Sequence, residues 1–410
     1  MKIFLKTNFH KIIFVFSCVS LFLSFFLNED GTGGGSRGDF EVTYGFIIAL
    51  QDNLLSDPKD WTLVHTPLHF ILLSFVTKII TNTDLLRFLF CFFSLSLSVI
   101  FYLYFVKDEN NKDYKSNILI LSSIILFIPS FRYTSIWAND LITSLFFFII
   151  SIYFFKKWEK DKKKDIDKNS FLQIIFLALA TYTRQYFAVF FIYFLFRYYQ
   201  IFSSKSFIKL FLICVLTSIP VLYYTYLFPE LVTGQLMTFK AIKYFLIGNP
   251  AIIAITLFPI ILINLFYKKI PLNKIIIPFS FSVIIVLILS LNFDPFDNWQ
   301  GGGVSHLISK KIFSNNLFLY FSTFFTIATF IYVGIENKNN ILLLAILILM
   351  FFSLQVYQRY YDPMFFIIFF TLIKTDLVQI FFKKISATLL LLSYFIIYYY
   401  LSASDLIYLL

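Results

Sequence analysis

The chain is short of the residues that staple small secreted domains and build metal centres. Only three of its 410 residues are cysteines, Cys18, Cys91 and Cys214. All three lie inside apolar runs and no two are at metal-ligand spacing, so neither a disulfide framework nor a cysteine-ligated metal is implied. Charged residues make up only 14% of the sequence. The Gly33-Gly34-Gly35 run is not followed by Gly-Lys-Ser/Thr, which excludes a P-loop and leaves a flexible segment. No small-x-small cleavage site follows the basic start and the apolar run to Leu27, so this segment reads as a first helix that is kept. No internal repeat is found, which tells against the repeat-built transporters.

What is present is apolar. Hydrophobic residues reach 59%, with 58 Phe and 26 Tyr, and the mean hydropathy is +0.80. A soluble domain is roughly half apolar, without such long runs. The expectation is an all-α, polytopic transmembrane helical bundle forming one integral membrane domain over residues 1–410. Apolar stretches at 11–27, 64–80, 85–106, 117–130, 136–155, 171–182, 185–200, 207–228, 251–267, 275–292, 316–334, 341–354, 363–379 and 386–403 predict about eleven to fourteen spans. The net charge of +11 fits basic loops facing anionic lipid and does not call for nucleic acid.

Lysines set the topology. Lys156, Lys157, Lys160, Lys162, Lys163, Lys164 and Lys168 crowd one gap; Lys107, Lys112 and Lys115, Lys268 and Lys269, and Lys383 and Lys384 mark others. The positive-inside rule makes these gaps and the N-terminus cytoplasmic. They are mutually consistent if 64–80 does not cross, so that segment is expected to be re-entrant or interfacial; the alternative is that a short pair of runs, such as 171–200, is miscounted. The outer loops are then 28–84, 131–136, 183–185, 229–250, 293–315 and 355–362. Five of the six arginines, Arg37, Arg87, Arg132, Arg184 and Arg359, fall on that outer face. Arginine there runs against the charge rule. An anionic ligand explains it, because a guanidinium fork matches phosphate geometry.

The first outer loop, 28–84, carries Arg37, Asp39 and Glu41. A carboxylate at the membrane surface is placed to take a proton from an alcohol. On a helix Asp39 and Glu41 point about 200° apart; on an extended segment they share a face. His65 and His69 flank Pro67. They could bind a metal, orient a substrate or sit at the interface, and no third ligand has fixed spacing. Arg132, Arg184 and Arg359 lie in polar turns between apolar runs, where a charge is costly and marks function or a snorkelling side chain; Asp362 is the local partner expected for Arg359. The Gly-rich outer loop 293–315 holds Trp299, which could stack on a sugar or anchor at the headgroups, and His306, which could contact phosphate.

Together these residues resemble the GT-C class of integral-membrane glycosyltransferases, which use polyprenyl-phosphate sugars on the lumenal or periplasmic face. The likeness rests on Arg37-Gly-Asp39-Phe-Glu41 after the first span, Thr66-Pro-Leu-His69 opening the next run, Thr183-Arg-Gln185 in mid-chain and Arg359-Tyr-Tyr near the end. A narrower likeness, to the enzyme that adds the last α-1,2-linked glucose to lipid-linked oligosaccharide, rests on Trp299-Gln-Gly-Gly-Gly-Val-Ser-His306 and Thr183-Arg-Gln185. That family's acidic motif has adjacent Asp and Glu, whereas Phe40 separates them here.

The resemblance implies a hexosyltransferase in a bacterial inner membrane or the ER membrane, its active site periplasmic or lumenal. Asp39 would be the general base, with Glu41 in reserve. Arg184, Arg359 and Arg132 would hold the departing lipid phosphate. Trp299 and His306, with Arg37, His65 and His69, would shape the substrate site. The implied partners are a polyprenyl-phosphate sugar donor, a lipid-linked or glycan acceptor and membrane lipids, with no nucleic acid. Outer carboxylates could bind Mg²⁺ or Mn²⁺, without an evident ligand set. The alternatives are a transporter or flippase of an anionic lipid-linked glycan and a polysaccharide polymerase.

Overall fold

A computed structural model describes residues 2–30, 36–57, 60, 65–107, 114–161, 163–229, 241–268, 271–293, 295, 299, 301–351 and 356–404. The Gly33–Gly35 run, Asp294 and Asp297 lie outside the described residues. Every regular element among them is helical. Without water an apolar segment must close its own backbone hydrogen bonds, and a helix does so. Near a proline that interrupts the ladder, a neighbouring helix adds bonds to the backbone. Beside Pro250, the Ile247 carbonyl accepts from Thr323 Oγ1 at 2.9 Å and the Pro250 carbonyl from Thr326 Oγ1 at 2.8 Å.

Seven helices are long and apolar enough to cross a membrane: Asn8–Phe26, Thr83–Val106, Asp140–Asp161, Ser204–Leu227, Ile242–Tyr267, Leu317–Glu336 and Ile385–Ala403. Lys115–Phe127 and Pro129–Ile136 make an eighth if counted as one span bent by 64°. The bend has a local cause. Ile128 is held extended, at φ −66° and ψ 120°, because the residue before a proline avoids the α region. Large apolar side chains such as Phe16, Phe92, Leu216, Phe266 and Ile288 are exposed around the outside, while Trp158, Phe148 and Tyr198 are fully buried. An apolar exterior over an apolar interior is that of a multi-pass integral membrane protein.

Side-chain contacts sort the helix termini into two ends. At one end Arg359 meets Asp39, Arg184 meets Asp140, and Arg87 meets Asn28. At the other Lys107 meets Tyr153, Glu159 meets Arg197 and Lys374, Lys268 meets Asp376, and Asn117 meets the Phe382 carbonyl. Lys168–Thr183, Phe190–Tyr199, Leu272–Ser290, Asn340–Leu349 and Gln358–Thr371 also run from one end to the other.

The Leu68–Thr77 helix is not one of them. Its ten residues rise about 15 Å, half the hydrocarbon thickness. His69 at its start contacts the Ala138 carbonyl, and Asp84, soon after its end, contacts Arg87, both at the arginine end. The chain therefore enters and leaves this segment on the same side. Thr77 at its far tip accepts from Gln51 of the Ser36–Asp52 helix at 2.8 Å, so the two helices of the first loop brace each other.

Candidate active site

The loop 36–52 is helical from Ser36 to Asp52, which decides between the two geometries open to its carboxylates. Arg37 and Glu41, four apart, pair at 3.0 Å on the solvent face. Asp39 projects from the opposite face and its Oδ2 accepts from Arg359 Nη1 at 2.5 Å. Glu41 therefore does not back up Asp39 at one atom; it faces a cleft of about 420 Å³ with Asn28, Arg37, Tyr44, Asp84 and Arg87. Arg359 takes its partner from 320 residues away, and not from Asp362. That carboxylate turns into the bundle, where Tyr398 and Thr256 donate to it at 2.9 and 3.2 Å.

Arg184 sits in a break. The Lys168–Thr183 helix ends, Arg184 is extended at φ −144° and ψ 114°, and a 3-10 turn, Gln185–Val189, follows. The break turns the guanidinium inward, where its Nη2 donates to Asp140 Oδ1 at 2.5 Å and to Asn139 Oδ1 at 3.0 Å. Both side chains of the ion pair are almost fully buried, at 1% and 4% exposure. The network is only half satisfied. Arg184 Nε and Nη1, Asp140 Oδ2 and His65 Nδ1 are buried without a partner in the protein. Such atoms cost about 1–3 kcal/mol each and need an explanation wherever they persist.

The Tyr360 ring lies between the two arginines, 5.6 Å from the Arg184 guanidinium and 5.8 Å from that of Arg359. So Asp39, Arg359, Arg184, Asp140 and His65 form one constellation drawn from five segments of the chain. Asp140 is the member that sequence reasoning missed. Its only signal was the polar pair Asn139-Asp140 after Trp137, and the apolar run 136–155 absorbed it.

The two histidines part company. Thr66 Oγ1 donates to the Thr181 carbonyl at 2.8 Å and thereby holds the half-buried His65 beside Arg184. Burial and the neighbouring Arg184 push the His65 imidazole down to about 4, against the pull of Asp140, so it is neutral at physiological pH. His69 uses both nitrogens on protein groups. The Ala138 carbonyl, 3.0 Å from Nε2, can only accept, so Nε2 carries the proton and Nδ1 accepts from Thr143 Oγ1 at 2.8 Å. His69 is left with no lone pair for a metal or a substrate and acts as a clamp. Ala138 itself has a φ of +45°, a left-handed turn that costs a non-glycine residue about 1 kcal/mol or more. The clamped turn aims Trp137 at Arg87, 3.6 Å from its ring, and Asn139 and Asp140 at Arg184.

Trp299 and His306 form a neighbouring station. Their rings lie 4.7 Å apart, and Trp299 is packed in a small cluster with Ile247, Ala251, Phe293 and Leu319. The indole is buried, so its faces are taken by the protein and not offered to a sugar. Burial, with Lys310 adding, pushes His306 down to about 4. Gly302 and Gly303 hold φ of +75° and +52°, and a side chain at Gly303 would run into Gln358. Gln358 Oε1 accepts from the Val304 N–H at 3.2 Å, and its Nε2 donates to the Ile252 carbonyl at 3.1 Å. The Gly-rich loop is thus tied to the residue preceding Arg359.

Arg132 leaves the expected phosphate-binding set. It is fully buried; its Nη1 donates to the Leu126 carbonyl at 3.0 Å, its Nη2 to the Ser20 carbonyl at 2.7 Å and to Ser24. The Tyr399 ring lies 4.1 Å from it. Its donors tie the first span to the bent pair, and the Tyr399 ring brings the last span against it. Among the described residues no three His, Cys, Asp or Glu side chains come together as a metal site; Asp39 and Asp140 are each engaged by an arginine.

No protein-family model, no curated protein and no solved structure matches this chain. The functional reading rests on the geometry.

Proposed function

We propose that the protein is a glycosyltransferase that moves a hexose from a polyprenyl-phosphate donor to a lipid-linked or glycan acceptor, with its arginine end on the periplasmic or lumenal face. One observation carries the reading: the buried Arg184, with unused guanidinium donors, and the partly buried Arg359, paired with a loop carboxylate, flank Tyr360. Arg184 Nε and Nη1 fit the oxygens of a phosphate monoester. Arg359 is the natural second clamp, and its transfer from Asp39 to the incoming phosphate would free the carboxylate. Asp39 then accepts the proton of the acceptor hydroxyl as that oxygen attacks the anomeric carbon. The bond from that carbon to the phosphate oxygen breaks, and the departing phosphate leaves with the electron pair, stabilised by both guanidiniums. Neutral His65 adds a hydrogen bond without competing for the anion. The apolar exterior gives the prenyl chain its solvent.

The test is a transfer assay with the purified protein in nanodiscs, polyprenyl-phosphate sugars labelled in the sugar, and Asp39→Ala beside wild type. Release of polyprenyl phosphate by wild type and not by the variant is expected. Full activity in Asp39→Ala would remove the base assignment. Specific retention of the lipid phosphate without turnover on any donor would move the reading to a lipid transporter.

A further inference from the structure

The half-satisfied network around Arg184 has unused atoms of both kinds. Arg184 Nε and Nη1 are donors, Asp140 Oδ2 is an acceptor, and His65 Nδ1 can be either. None of the four has a partner among the described residues. A lipid phosphate answers only half of this. A phosphodiester has acceptor oxygens and no hydrogen to give. It would satisfy Arg184, leave Asp140 Oδ2 unmet and set its own charge beside a second anion, which repels it. The ligand that completes the network carries a hydrogen-bond donor within reach of its phosphate.

The unused acceptor is rigidly placed. Asp140 opens the Asp140–Asp161 helix, and its Oδ1 is held by Arg184 Nη2 at 2.5 Å. The residues before it are fixed as well. Asn139 Oδ1 accepts from Arg184 Nη2 and from the Leu141 N–H, each at 3.0 Å, and His69 grips the Ala138 carbonyl at 3.0 Å. The carboxylate cannot turn without losing its ion pair, so Oδ2 keeps one direction. An acceptor held in this way needs no reorganisation when a ligand arrives.

We propose that Asp140 Oδ2 binds the donor sugar, accepting from the hydroxyl on the carbon next to the anomeric one. The inference rests on the glycosyltransferase reading and names its substrate class: a hexose with a hydrogen-bond donor at that carbon. Of the sugar's hydroxyls this one is nearest the phosphate along the bonds, so it can meet Asp140 while the phosphate oxygens meet Arg184. The half-buried His65 and Tyr360 stand where the sugar enters, and His65 Nδ1 meets a further hydroxyl in either tautomer. The contact also serves the chemistry. As the bond to the phosphate oxygen breaks, positive charge grows on the anomeric carbon. The neighbouring hydroxyl becomes a stronger donor, and its hydrogen bond to a carboxylate tightens in the transition state. The hydroxyl proton stays on the sugar, and Asp39 remains the base for the acceptor.

The test measures release of polyprenyl phosphate by the full-length protein in nanodiscs from three donors, polyprenyl-phosphate glucose, mannose and 2-deoxyglucose. The third lacks the hydroxyl in which the first two differ. Wild type should turn over glucose or mannose at least about 10²-fold faster than 2-deoxyglucose, with the difference in kcat. A 2-deoxy sugar parts from its phosphate more readily in water, so slower release reports the lost contact. Asp140→Asn should lower that ratio to less than about tenfold. Where Asp140→Asn does not fold, Asp140→Glu, which keeps the charge but moves the free oxygen, takes its place and should lose the ratio too. An Asp140 that only holds Arg184 would, when replaced, slow all three donors alike and leave the ratio intact, which would overturn the inference. Equal rates on all three donors with wild type would overturn it too and leave the glycosyltransferase reading standing. Release from none of them would remove that reading and the inference with it.

Discussion

The two ends of this bundle handle charge in opposite ways. At the arginine end the guanidiniums of Arg184 and Arg359 are 1% and 15% exposed and each is paired with a carboxylate. At the lysine end the paired side chains of Lys163, Lys268 and Lys374 are 58%, 43% and 45% exposed. The first arrangement is expensive, since desolvating an ion pair costs more than an exposed pair returns. The second is nearly neutral in stability and follows from topology alone. Arg197, the sixth arginine, marks the exception at the lysine end, where it shares Glu159 with Lys374. Buried, paired charge at the arginine end is what the proposed ligand site rests on; charge left in water follows orientation in the membrane.

The largest expected difference between the ends is catalytic. Asp39→Asn should lower transfer by about 10²- to 10⁴-fold, as loss of a general base does, while Glu159→Gln at the lysine end leaves the rate unchanged; both are read by release of polyprenyl phosphate. Stability should separate next. Asp140→Asn leaves Arg184 buried and unpaired and should cost about 3–5 kcal/mol, whereas Asp376→Asn, which breaks the exposed pair with Lys268, should cost under about 1 kcal/mol. Thermal unfolding in detergent checks both.

Smaller is the effect of Gly303→Ala. The left-handed backbone and the collision with Gln358 should cost about 1–3 kcal/mol and lower transfer through the turn that carries Arg359. The last effect is in pH. The folded His65 holds its proton only below about 4, against an ordinary value of 6.5. The unfolded chain therefore binds a proton that the folded one refuses, so stability is full above pH 6.5 and falls as the pH drops towards 4. His65→Gln should flatten that part of the melting-temperature profile. A profile as steep as that of wild type would place His65 outside the buried cluster.

Much of the architecture was legible in the sequence because lipid leaves few choices. Apolar runs had to be helices; the side of the membrane on which the first loop lies was an expectation from the lysine gaps. The site was legible only in outline. Arginines in polar gaps pointed to Arg184 and Arg359 but equally to Arg132, because sequence cannot tell a donor left unpartnered, like Arg184 Nη1, from one spent on Ser20 and Leu126. Glu41 sits two residues from Asp39 and looked equivalent until the helix placed it on the other face. Asp140 was hidden by the hydropathy of the span it opens, and the pairing of Asp39 with Arg359 spans 320 positions, beyond any local pattern.

The most direct test of the central claim is lipid-phosphate binding at the arginine end. Polyprenyl phosphate would be titrated, with calorimetric detection, into wild type, Arg184→Gln and the Lys156/Lys157/Lys160 glutamine variant, all in nanodiscs of zwitterionic lipid. The account predicts that Arg184→Gln weakens binding by about 10²-fold while the lysine variant binds as wild type does. Equal binding by wild type and Arg184→Gln would contradict it.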